Sequence, residues 1–185
     1  MTAPKEKQFT GKYRSSREAE SRILLLIDGF SRDARGERTL QGRVKLAKLD
    51  FFLRYPRYLA RVLEGRGARA DALQELRDAD SPLESTMVRY RYGPWDPSYF
   101  AVLGSLIGRN LIEVVPAVGT SALGYRTTDR GRQLVRDLEN DGAFFDLIAR
   151  IRLIRRHLDL SGESLKRMVY DIPQVANARW FEELK

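Results

Sequence analysis

The 185-residue chain has no cysteine and a single histidine, His157. The first absence removes disulfide staples, cysteine-ligated zinc, iron–sulfur clusters and thiol nucleophiles together. The second leaves no histidine-rich metal cage and argues against a serine–histidine hydrolase. His157 follows Arg155 and Arg156 near a helix end, where a solvated or capping role suits it better than catalysis. Long hydrophobic runs are missing too: no stretch approaches the roughly 18–20 apolar residues a membrane span needs. The polar opening MTAPKEKQFTGKYRS carries four cationic groups and reads as a loose basic arm over 1–15, not a signal peptide. There is no internal repeat, no G-x-x-x-x-G-K-[ST] phosphate loop and no G-x-S-x-G elbow. The acid–lysine spacings Glu163-Ser-Leu-Lys166 and Glu183-Leu-Lys185 stand alone. The expectation is a cytoplasmic, non-membrane, non-enzymatic protein with no metal and no cofactor.

What is present is a basic balance, with 33 Lys+Arg against 25 Asp+Glu and a formal charge of +8. Twenty-six of the cations are Arg and 7 are Lys, a bias that suits bidentate contact with phosphate or carboxylate. A composition that is 43% hydrophobic supports a real core. The charge is uneven: Arg35 to Arg69 holds ten cations and three acids. Candidate contacts to a DNA backbone or an acidic partner are Arg43, Lys45, Lys48, Arg54, Arg57 and Arg61, with Arg54, Arg57 and Arg61 placed on one helix face. Asp50 lies four residues before Arg54 and can pair with it. Arg150, Arg152, Arg155 and Arg156 form a second cluster, and Arg89 and Arg91 a third pair on one strand face.

Periodicity lays out the elements. Ser16-Arg-Glu-Ala-Glu20 opens a helix whose apolar face, Ile23 to Phe30, is wide enough for a central position. Arg43 to Leu63 reads as a helix broken near Tyr55 by Pro56, with Phe51, Phe52, Tyr55 and Tyr58 as core and amphipathic edge. A polar helical excursion follows over 67–79. Met87–Tyr92 alternates as a strand, with Val88, Tyr90 and Tyr92 on one face. Gly93-Pro94-Trp95-Asp96-Pro97 is a stiff turn in which Asp96 is placed to cap the next helix. That helix carries Tyr99, Val102, Leu103, Leu106 and Ile107 as its apolar stripe. Its exposed positions, Ser98, Ala101, Ser105 and Gly108, are small and poorly suited to reading base edges. Leu111–Val115 and Tyr125–Thr127 are short strands around the tip 116–124, with Arg126 and Arg130 as wing cations. Thr128 or Asp129 caps a further helix, and more helices cover 142–158 and 162–171.

This order predicts a mainly α fold with a small β-hairpin or sheet: a winged helix-turn-helix-like domain over 16–140, then a C-terminal helical extension over 141–185. Arg43-Val-Lys-Leu-Ala-Lys-Leu-Asp-Phe-Phe-Leu-Arg-Tyr-Pro56, then Met87-Val-Arg-Tyr-Arg-Tyr-Gly-Pro-Trp-Asp96 and the wing, resemble the middle components of bacterial ABC-three-component systems, most closely the second middle-component family. The family motif falls on Tyr92, Gly93, Pro94, Trp95 and Asp96, and the likeness spans roughly Ile23 to Leu138. The resemblance implies a non-catalytic subunit working with an SMC-like ABC ATPase and an effector in antiphage defence, as in Lamassu-like complexes. Non-specific contact with double-stranded DNA, and pairing with a second copy of the chain, stay open beside it. The competing reading is a stand-alone winged-helix transcriptional regulator.

Overall fold

The computed structural model describes residues 15–33, 36–79, 86–117 and 122–184. The basic arm over 1–14, Arg35 and the tip of the wing over 118–121 lie outside the described residues. Helix α1 (Arg17–Ser31) is capped by Ser16, whose hydroxyl accepts from the Ala19 amide at 3.0 Å. Five consecutive residues, Ile23 to Ile27, are buried, because neighbours pack on it from several directions. A minimal hairpin, β1 (Arg32–Asp33) and β2 (Gly36–Glu37), leads to β3 (Leu40–Gln41) and then α2 (Gly42–Arg54). Tyr55 leaves helical geometry at φ −116° and ψ 76°, and α3 (Pro56–Leu63) restarts with proline at its first position. Helix α4 (Ala70–Asp78) packs on α3 and buries only Leu76.

The predicted strand and stiff turn form one hairpin. Strand β4 (Val88–Tyr90) pairs antiparallel with β5 (Gly93–Trp95), so Arg91 and Tyr92 make the turn. The reversal falls there because Gly93 supplies φ +113°, a conformation side chains resist. Asp96 then accepts from the Ser98 amide at 2.8 Å just ahead of α5 (Tyr99–Gly108). Strands β6 (Ile112–Pro116) and β7 (Leu123–Thr127) make the second hairpin, and β3 joins β7 to give a three-stranded antiparallel sheet in the order β3-β7-β6. Thr128 caps α6 (Asp129–Glu139), accepting from the Gly131 amide at 3.0 Å.

A 3-10 turn (Gly142–Phe144) leads into α7 (Phe145–Leu158), α8 (Gly162–Tyr170) and α9 (Pro173–Ala176). This C-terminal part is no appendage. Helix α7 packs on α1 and α2, and α8 on α2. Ile151, Ile154, Leu165, Val169 and Leu184 belong to the same continuous core as α1 and α2. Gly29 lets α1 and α7 approach: a Cβ there would lie 2.7 Å from Ile151 Cγ2. The last residues run beside β4, with the Leu184 amide donating to Met87 O at 2.8 Å and the Arg89 amide to Glu182 O at 2.8 Å. The molecule is mainly helical with a small three-stranded antiparallel sheet and two separate two-stranded hairpins, β1–β2 and β4–β5.

Candidate functional site

Two arrangements stand out, one buried and one exposed, and the β4–β5 hairpin with its α5 corner belongs to both. In the interior, Arg22 donates to Asp50 (Nε to Oδ1, 2.8 Å), and Tyr99 Oη donates to Asp50 Oδ2 at 2.7 Å. Arg54 Nη1 lies 3.7 Å from the same carboxylate and donates to Asp96 Oδ2 at 2.6 Å. Two guanidiniums and two carboxylates, all buried, thus link α1, α2 and the start of α5 with no net charge. Burial alone would push the Asp96 carboxyl up, but Arg54 and the Ser98 contacts outweigh it and hold Asp96 below the ordinary carboxylate range. Burial, then Asp50, drives the Tyr99 phenol well above its ordinary value, so it remains a donor. Nε and Nη2 of Arg54 have no hydrogen-bond partner. A smaller network ties α1 to β7: Thr127 Oγ1 donates to Asp28 Oδ1 at 2.8 Å, with Ser31 Oγ 3.3 Å from the same hydroxyl.

This geometry corrects the expectation for Arg54. It is fully buried on α2 and shares no face with Arg57 and Arg61, which are exposed on α3 beyond the break at Tyr55. Lys48 is only 3% exposed and donates to Gly162 O at 3.1 Å; burial depresses its ammonium, with Glu163 countering. Neither is a surface contact residue. Lys45 and Arg155 converge with Arg38 on the carboxylate of Asp159. Arg89 is half-buried, donates to Val175 O at 3.2 Å and covers the Tyr170 ring. Arg126 pairs with Glu113 across the β6–β7 hairpin at 2.7 Å. Arg150 is half-buried, and burial lowers its guanidinium despite Asp146. Arg43, Arg57, Arg61, Arg91, Arg130, Arg152 and Arg156 are exposed.

The exposed arrangement is aromatic. Tyr92 is 53% exposed, Phe100 62%, Trp180 62% and Phe181 45%. On α5 the outward positions are Phe100, Gly104, Ile107 and Gly108; Ser98, Ala101 and Ser105 are half-buried, and Ile107 lies outside the core stripe. Arg43 reaches across from α2, its guanidinium 4.7 Å from the Phe100 ring centre. The cation nearest the C-terminal end of α5, Arg109, is held by Glu20 at 2.5 Å. The sequence leaves Trp180 and Phe181 either to pack or to await a partner, and both are exposed. Sequence reasoning missed Phe100 as a surface group, although it falls off the stripe set by Tyr99, Val102, Leu103 and Leu106.

Among the described residues no cluster of three His, Asp or Glu side chains is placed to hold a metal, and no helix is long and apolar enough to cross a membrane. The class defined by fold and surface is a mainly helical protein that shows an aromatic, arginine-edged face to its surroundings. No family model, curated protein or solved structure matches the chain.

Proposed function

We propose that this protein is a non-catalytic accessory subunit that docks through the outer face of α5 onto an SMC-like ABC ATPase or its effector, as its likeness to the middle components implies. The observation that carries the reading is the composition of that face. Where a base-reading helix would offer Arg, Asn or Gln, α5 offers Phe100, Gly104, Ile107 and Gly108. A ring and an aliphatic side chain flanked by two glycines let a partner backbone come close and bury apolar surface. The succession of α1, β3, α2, α5, β6, β7 and α6, interrupted by α3, α4 and the β4–β5 hairpin, with the sheet arranged β3-β7-β6, supports treating residues 16–140 as a winged helix-turn-helix-like unit turned to protein contact. The same face weighs against a stand-alone sequence-specific regulator. Exposed Arg57, Arg61, Arg130, Arg152 and Arg156 give that subunit a means of touching duplex DNA through phosphates.

Co-expression with an SMC-like ATPase from the same genome, sought first beside its gene, tests the reading. The two are expected to co-purify, and Ile107→Asp, at an exposed position, is expected to release the ATPase while leaving the circular dichroism spectrum unchanged. Failure of the unaltered pair to associate would sink the proposal.

A further inference from the structure

A cavity of about 250 Å³ opens between the N-terminal end of α2 and the β4–β5 hairpin. Tyr90, Tyr92, Trp95 and Phe100 wall it with Pro94, and Arg43 is the one charged residue in its lining. The rings continue beyond the cavity. Phe100 and Trp95 are 6.0 Å apart between centres, Trp95 and Tyr90 6.1 Å, Tyr90 and Phe181 5.5 Å, and Tyr90 and Trp180 6.4 Å. Arg91 lies over the Tyr92 ring at 5.6 Å, as Arg43 does over Phe100.

The C-terminal turn that presents Trp180 and Phe181 is strained and firmly held. Phe181 has φ +64°, a left-handed conformation that is costly for a bulky side chain. Its amide donates to Arg89 O at 2.7 Å, and Glu182 is turned back so that its Oε2 accepts from the Arg179 amide at 2.7 Å. Strain kept in order to hold two large rings in solvent has no use inside the core.

We propose that this run of rings is a stacking platform for single-stranded DNA, with bases on Tyr92, Trp95 and Trp180 and phosphates at Arg43 and Arg91. Every base has a π-face, so neighbouring rings edged by guanidiniums, with Trp95 half-buried between exposed Tyr90 and Phe100, suit a strand of unpaired bases. A duplex keeps its bases stacked inside and cannot lay them on these rings. The platform shares Phe100 with the docking face but uses none of Gly104, Ile107 or Gly108, so Ile107→Asp tests docking while the Tyr92 and Trp180 variants test the platform.

The chain contains two tryptophans, Trp95 and Trp180, and both lie in the run, so intrinsic fluorescence reports on it directly. The full chain would be titrated at low and high salt with an oligothymidylate of about 16 nucleotides, the upper site size of one stacking fold. Saturable quenching that weakens with salt is expected. Tyr92→Ala and Trp180→Ala should each weaken binding about tenfold, while Tyr92→Phe and Trp180→Phe keep it and show that the fold survives. Three other probes decide between sources: thymidine monophosphate, a duplex of equal length and a glutamate–tyrosine copolymer. No quenching by the oligonucleotide at low salt overturns the proposal. So does a duplex that binds as tightly and is indifferent to loss of the rings, which would leave only backbone attraction. Saturation by the mononucleotide at the same affinity would reduce the platform to a single-nucleotide pocket. Tighter, ring-dependent binding of the copolymer would assign the surface to an acidic protein.

Discussion

Arg54 shows how one residue type can mean opposite things. Three turns from Arg43 on the same helix, it is sealed in the interior, where its charge is worth keeping only because Asp96 and Asp50 are there. Breaking a buried pair from one side leaves the other charge uncompensated, at a cost of about 3–5 kcal/mol. Arg54→Met should therefore lower unfolding free energy by about that amount in urea titration, whereas Arg57→Met, at an exposed site, should change it by less than about 0.5 kcal/mol. Asp96 adds a pH dependence. Its folded carboxyl sits below the ordinary value, so its charge stabilises the fold above about pH 4, and that contribution is lost as acid protonates it. Asp96→Asn should destabilise at neutral pH, and the gap from the unaltered chain should narrow in denaturation curves taken near pH 3. The Asp50–Arg54 spacing is legible in the sequence. The expected cap at Asp96 is displaced, because α5 begins at Tyr99 with Ser98 at its N-cap and Asp96 accepts from the Ser98 amide in the turn before it. That one arginine serves both, and that Arg22 and Tyr99 complete the set, depends on three elements meeting, and local pattern carries no record of that.

At the level of the element, boundaries followed their punctuation. Pro56 restarts a helix, Thr128 caps one, and Ser16 opens α1. The hairpin β4–β5 was read as a strand followed by a rigid turn because Gly-Pro-Trp looks like loop chemistry; its pairing with Val88–Tyr90 is set by Gly93 and by the C-terminal segment along the other edge. Face assignment was less legible on α5, since an apolar residue turned to solvent, such as Ile107, looks in sequence like one turned to the core. Two glycines separate the structural from the interfacial. A Cβ at Gly131 would lie 1.9 Å from Leu111 O, so Gly131→Ala should destabilise by on the order of 3 kcal/mol. A Cβ at Gly104 would meet nothing within 4 Å. Gly104→Ala should stabilise α5 by about 0.5–1 kcal/mol in thermal or urea unfolding, while Gly104→Arg should block docking without loss of stability.

For the molecule as a whole, the 33 Lys and Arg residues divide into spent and available groups. Lys48 and Arg54 are interior, Lys45 and Arg155 meet Asp159, and Arg126 meets Glu113, so affinity for duplex DNA should fall well short of what the sequence total implies. A log–log salt titration reports how many phosphates are neutralised, and its slope should be accounted for by the exposed cations alone. The helices over 142–158 and 162–171 are legible in the sequence, but not where they pack, because their apolar positions are ordinary for any amphipathic helix; only the shared core places them against α1 and α2. Helix α1 lies at the centre of that arrangement, with Ile23, Leu24, Leu26 and Ile27 fully excluded from solvent. Its amide protons are consequently clocks for the entire molecule. Local fluctuation cannot bring water to them, so their hydrogen exchange should proceed at the rate permitted by global opening, while α4, which buries a single residue, exchanges far sooner.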